Sequence, residues 1–214
     1  MRGNRPYNPA VGSTNPKRLG VMGGTFDPIH HGHLVTAEEA LSQFELGEVV
    51  FVPTGRPWMK EDRDVSAAEH RYLMTVIATA SNPRFSVSRI EVERAGPTYT
   101  VETLKELRGS GEDVDLFFIT GADAMLEILQ WKDPEEILSL AHFIAATRPG
   151  YDIARFEKEA PTSHPNVSVM DIPALAISST DIRRRVGEGL PIRYLVPEGV
   201  QMYIHKAGLY GRQR

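Results

Sequence analysis

From residue 18 onward, short apolar runs alternate with longer amphipathic stretches. RLGVM (18–22), EVVFVP (48–53), VDLFFIT (114–120), HFIAAT (142–147) and VSVMDIP (from Val167) are rich in Val, Ile and Phe and read as buried strands. SVSRIEVE (86–93) alternates polar with apolar residues and predicts a strand near an edge. Between these runs, apolar residues recur at helical spacing. The stretch 33–44 places Leu34, Ala37, Leu41 and Phe44 on one side. The stretch 66–80 opens on Ser66 with Glu69 three residues on, a capping-box pattern. Further helices are predicted from Thr100, over GADAMLEILQW (121–131), from Ser178 to a closing glycine, and from Pro197.

Strands alternating with helices of this length indicate an α/β fold: a single Rossmann-like parallel sheet, helices on both faces, and a C-terminal helical segment. Residues 1–17, MRGNRPYNPAVGSTNPK, offer almost nothing to bury and read as a flexible extension. No repeat or linker divides the remainder, so 18–214 is expected to be one domain.

Composition narrows the chemistry. A net charge of −4 argues against a general nucleic-acid binder, which needs a basic surplus. The absence of cysteine excludes disulfides and thiolate zinc sites. The longest apolar runs are about half the roughly 20 residues that span a membrane, and no apolar segment follows the basic N-terminus. A cytoplasmic protein without a membrane partner is the simplest reading. A homo-oligomer stays open.

Ligands of such folds bind at the C-terminal ends of the strands. Three segments fall at that rim: GGTFDPIHHGH (23–33), 121–123, and Arg148. Isolated histidines are mostly surface or core residues with local hydrogen bonds. Three close together also raise a metal site. However, His30 and His31 point apart on a helix, only His30 and His33 share a face, and two ligands make a poor zinc site. No metal ligand is assigned. The glycines favour phosphate instead. Gly23 and Gly24 let backbone pass close to a ligand, a following helix offers free N–H groups and its positive dipole end, and Gly32 removes a side chain between the two imidazoles. The pattern is neither G-x-G-x-x-G nor a P-loop.

GTFDPIHHGH resembles the signature of the HxGH-motif nucleotidyltransferases. The resemblance implies that His30 and His33 hold the α-phosphate of ATP or CTP, with Thr25 beside them. ISSTDIRRRV (177–186) is similar to the second signature of that family, ISSTxIR, which assigns Ser178, Ser179 and Arg183 to the outer phosphates. By itself the segment reads as a helix start capped by Ser178 with Asp181 completing the box. Capping does not account for three arginines placed early in a helix, where the dipole disfavours cations. Arg184 and Arg185 turn away from Arg183 and read as solvated.

Three further stretches resemble the bacterial-type nicotinate mononucleotide adenylyltransferases. In PTYTVETL the resemblance places Thr100 at the nicotinate carboxylate; as residues alone, Thr100 reads as a helix cap. In GADAMLEILQW it places Asp123 on the adenosine side and Trp131 against the pyridine ring; a core tryptophan at a helix end is the plain alternative. The third is RPGY, beginning at Arg148, a substrate-binding candidate. The family pattern PPHK or PPHR is replaced here by RPWMK (56–60), in which the resemblance still places Lys60 where a substrate phosphate could be met. His31 takes a variable slot and has no assigned role.

The implied reaction joins ATP and nicotinate mononucleotide into nicotinate adenine dinucleotide with release of pyrophosphate. Mg²⁺ would bridge the ATP phosphates. The rival readings are a related adenylyl- or cytidylyltransferase acting on phosphopantetheine or nicotinamide mononucleotide, a non-catalytic nucleotide sensor, and a metal-binding protein using His30, His31 and His33.

Overall fold

The computed structural model describes residues 17–57, 65–109, 113–147, 164–173 and 175–211. In chain order the elements are β1 (Lys17–Gly24), α1 (His31–Gln43), β2 (Glu48–Pro53), β3 (Arg56–Pro57), α2 (Ala68–Thr79), β4 (Phe85–Val87), β5 (Pro97–Thr98) and α3 (Thr100–Arg108). There follow β6 (Val114–Gly121), α4 (Ala122–Leu126), a 3-10 turn (Ile128–Gln130), α5 (Pro134–Leu140), β7 (His142–Thr147), β8 (Val167–Asp171), α6 (Ser179–Gly187) and α7 (Glu198–Ala207).

Six strands form one parallel sheet in the order β4-β2-β1-β6-β7-β8, and β3 pairs with β5 in a separate small ladder. Strand residues alternate between two cores, as the pleat requires. Met22, Phe117, Ile119, Ile144 and Ala146 face a layer that includes residues of α1, α2, α6 and α7. Val21, Leu116, Phe118, Phe143 and Ala145 face a layer that includes residues of α3, α4 and α5. A sheet buried on both faces explains why these strands read as continuous apolar runs. The expected α/β sheet with helices on both faces is therefore what the chain forms. The strand order reverses between β1 and β6, so a crevice opens beyond Gly24 and Gly121, where the two strands end.

Local expectations fare less evenly. The strand expected over 86–93 stops at Val87; Ser88 N–H still bonds Phe51 C=O before the chain leaves the sheet. Within that segment the deeply buried residue is the polar Glu91, with Ile90 and Val92 only partly buried. The helix expected over 121–131 breaks after Leu126 into the 3-10 turn. A further helix, α5, went unread, although Pro134 opens it and Glu135 and Glu136 fill its first turn, both ordinary start signals. Ser66 and Glu69 form no capping box. The N-cap of α2 is Ala67, the Ser66 amide is bonded to Asp27, and Glu69 pairs with Arg89. In α6, Ser178 does cap, accepting from Asp181 N–H. That helix is short, so Arg184 and Arg185 occupy its last turn, where the dipole favours them, and both pair with Asp181. The cost ascribed to early arginines does not arise.

Candidate active site

Two cavities open side by side at the reversal point. One, of about 370 Å³, is lined by His30, Gly32, His33 and Thr36 from the β1–α1 junction and by Ser178 and Ser179 from the start of α6. The other, of about 300 Å³, is lined by Thr25, Glu91, Thr98, Thr100, Thr103 and Trp131 among others. Gly23, Thr120 and Ala124 line both.

The imidazoles are set by the way α1 begins. His30 is its extended N-cap, not a residue on its surface, and His33 is the third helical position. His30 N–H donates to His33 Nδ1 at 3.2 Å. That bond makes Nδ1 an acceptor and so places the ring proton on Nε2. The two rings stack with centroids 3.7 Å apart, and Phe26 meets His33 edge-on at 5.1 Å. A Cβ on Gly32 would lie 3.0 Å from the His30 ring, so the glycine makes room for that imidazole.

The loop between β1 and α1 is gripped from several sides. Phe26 has φ +50° yet is buried, a conformation that bulky residues hold only when their surroundings impose it. Asp27, only 3% exposed, accepts from Tyr210 O–H at 2.6 Å and from Ser66 N–H at 3.3 Å. Burial, and then the neighbouring Asp27, raise the Tyr210 phenol above its ordinary range. Arg183 donates to Asp27 C=O at 2.7 Å, Ser179 to Pro28 C=O at 2.9 Å, and Arg71 to Thr25 C=O at 2.9 Å. Chain segments from α2, α6 and the C-terminal turn thus hold Thr25 and His30 in place.

In the second cavity Thr100 is the first residue of α3; Tyr99, not Thr100, occupies the cap position. Trp131 ends the 3-10 turn, half-buried, with its edge toward Phe118 at 6.1 Å. Its indole Nε1 is buried with no hydrogen-bond acceptor among the described residues. Trp131 is therefore packed against the core and forms cavity wall at the same time. Glu91 accepts from Thr103 O–H at 2.7 Å. Burial pushes its carboxyl up, opposed by hydrogen bonds from Thr103, Thr98 and the Gly55 amide and by the charge of Arg94.

The structure brings His30, His33, Ser178 and Ser179 around one cavity and Gly24, Thr25, Thr100 and Trp131 around the other, with Gly23 common to both. It does not bring in Arg183, which holds the Asp27 carbonyl, or Asp123, which is exposed in the first turn of α4; neither lines either of these two cavities. Lys60 and Arg148 lie outside the described residues. Sequence reading missed Arg71, Glu91 and the Asp27–Tyr210 pair. Arg71 did leave a signal: with Met74, Thr75 and Ala78 it occupies the buried stripe of α2, a position where an arginine is rare. Among the described residues no three His, Asp or Glu side chains are placed to hold a metal ion. No described helix is long and apolar enough to cross a membrane.

Comparison with known proteins agrees with this geometry. Residues 21–185 match the cytidylyltransferase-like family profile. A Streptomyces coelicolor protein named as a probable nicotinate-nucleotide adenylyltransferase is 62% identical over 189 residues, covering 88% of this chain and 98% of its own. One from Paenarthrobacter aurescens with the same name is 61% identical, covering 88% and 89%. In three dimensions the chain is similar to Plasmodium falciparum nicotinic acid mononucleotide adenylyltransferase complexed with NaAD, with a TM-score of 0.74, 22% identity, and coverage of 91% and 97%. At that identity the likeness speaks for the fold, and the bacterial relatives speak for the family. The chain belongs to the nicotinate-nucleotide adenylyltransferases, within the cytidylyltransferase-like nucleotidyltransferases.

Proposed function

We propose that the two cavities hold the two substrates of one adenylyl transfer. ATP lies beside His30, His33, Ser178 and Ser179, and nicotinate mononucleotide lies beside Thr100 and Trp131. The products are nicotinate adenine dinucleotide and pyrophosphate. One observation carries this reading: both cavities share the backbone at Gly23, so a phosphate bound in each would meet its partner over the same peptide.

The mononucleotide phosphate is an anion at neutral pH, its second pKa being about 6, and needs no base to activate it. It attacks the α-phosphorus in line, and pyrophosphate leaves. Catalysis then rests on positioning and on donors aimed at developing charge. His33 offers Nε2–H, and the N-termini of α1 and α6 turn their positive dipole ends toward the polyphosphate. His30 and Thr25 complete the α-phosphate site. Family resemblance assigns Ser178, Ser179 and Arg183 to the outer phosphates, Asp123 to the adenosine side, and Lys60 and Arg148 to the substrate. Because Arg183 spans to Asp27 here, it also fixes the loop that carries Thr25.

Mg²⁺ fits as a cation carried by the nucleotide. It takes few protein ligands, and the described residues form no cage for it. When bound it would neutralise phosphate charge. A cytoplasmic location accords with substrates of this kind.

The test is a panel: ATP with nicotinate mononucleotide, nicotinamide mononucleotide or phosphopantetheine, with and without Mg²⁺, read as pyrophosphate release. Nicotinate mononucleotide with Mg²⁺ should turn over fastest. Turnover of phosphopantetheine alone would replace the reading with a different transferase.

A further inference from the structure

Gly55 follows β2 and is held at both ends of its backbone. Its C=O accepts from Arg71 Nη2 at 2.8 Å, and its N–H faces the Glu91 carboxyl. Both partners are buried charges, Arg71 being 1% exposed and Glu91 8%. No side chain fits at this residue: a Cβ would stand 1.9 Å from the Glu91 carbonyl oxygen. Each partner also reaches further. The Arg71 guanidinium bonds Thr25 C=O at 2.9 Å and, through Nε, Ser66 C=O at 2.8 Å. Glu91 accepts from the Thr103 hydroxyl at 2.7 Å, and Arg94 in turn donates to Thr103 at 3.0 Å.

We infer that Arg71 and Glu91 are a pair of positioning residues that act through the backbone of Gly55, one on each of the two peptide groups that flank its Cα. They tie the loop bearing Thr25 to the threonine-lined wall of the second cavity, keeping the mononucleotide in line with the α-phosphate. A lone arginine on three carbonyls would be an ordinary structural clamp. The added point is that the Gly55 carbonyl belongs to a residue whose N–H, on the other side of its Cα, faces a carboxyl that lines the cavity. Arg71 itself lines neither cavity. Any selective effect of Arg71 on the mononucleotide must therefore be relayed.

This inference rests on the assignment of the mononucleotide to the second cavity, and the experiment separates the two. Wild-type turnover of nicotinate mononucleotide tests the assignment; the ratio of variant to wild type tests the pair, with whichever ester the wild type accepts. Glu91→Gln exchanges one atom and puts an amide group among donors. Arg71→Lys keeps the charge but cannot bond three carbonyls at once. Each should raise KM for the mononucleotide about tenfold or more, while Glu91→Gln leaves KM for ATP within about twofold. The double variant should be no worse than the poorer single, because both act on one residue's backbone. A merely structural role would lower Tm and the apparent kcat yet leave KM in place, and that result in either variant overturns the inference. Additive effects in the double variant overturn the shared route. If Arg71→Lys does not fold at the assay temperature, the Glu91→Gln KM ratio decides alone.

Discussion

His33 serves two ends through its two ring nitrogens, and variants can separate them. Nδ1 accepts the N-cap amide of His30, and Nε2–H is the donor assigned to the phosphate. Asparagine places an acceptor where Nδ1 stands but has nothing at Nε2; glutamine does the reverse. His33→Ala removes both, leaving the His30 amide without that acceptor, for a cost of about 1 kcal/mol in stability. Loss of a preorganised donor to the reacting phosphate costs roughly 3–4 kcal/mol, or about 10²–10³ in kcat. His33→Asn should therefore keep the wild-type Tm and lose kcat as severely as His33→Ala, whereas His33→Gln recovers part of the rate with a lowered Tm. Pyrophosphate release under saturating ATP and mononucleotide, beside thermal melts, gives both quantities. A His33→Asn variant within about fivefold of wild-type kcat would refute the role given to Nε2–H.

Other residues give independent tests. Gly32→Ala should press the His30 ring from 3.0 Å and lower kcat about tenfold with little change in Tm. Arg183→Ala should raise KM for ATP and lower kcat, since the Asp27 carbonyl loses its donor; Arg184→Ala, which loses only exposed pairs with Asp181 and Glu188, should match wild type in a rate assay. Trp131→Ala should raise KM for the mononucleotide above all, and an unchanged KM would return Trp131 to the core. His142 is held below the usual histidine range by burial first and by Arg18 second. The unfolded chain thus takes up the proton before the folded one, so stability should fall as pH drops below about 6.5. His142→Gln should flatten that slope in urea melts at successive pH values.

Much of this arrangement was legible because it is local. The strand ends at Gly24 and Gly121, the histidines after β1 and the Ser178 cap each show in a few adjacent residues. What stayed hidden is non-local. His30 as an N-cap, not a member of a helix face, depends on where α1 starts, and one residue changes which nitrogen meets which amide. Glu91 reverses the inside–outside pattern of its segment because Gly55, Thr98 and Thr103 converge on it from three other elements. Tyr210 and Asp27 are 183 residues apart, and nothing in either neighbourhood announces the other. Arg71 was visible as an oddity on a buried stripe, but its three carbonyl partners come from loops whose approach only the folded sheet sets.

The central claim is that two cavities meeting at Gly23 form one reaction site. A crystal structure of the chain with nicotinate adenine dinucleotide bound tests it most directly. The adenylyl half should lie beside His30, His33 and Ser178, the nicotinate beside Thr100 and Trp131, and the joining phosphates should cross the Gly23–Gly24 backbone. A dinucleotide bound in the opposite sense, or away from both cavities, would contradict it.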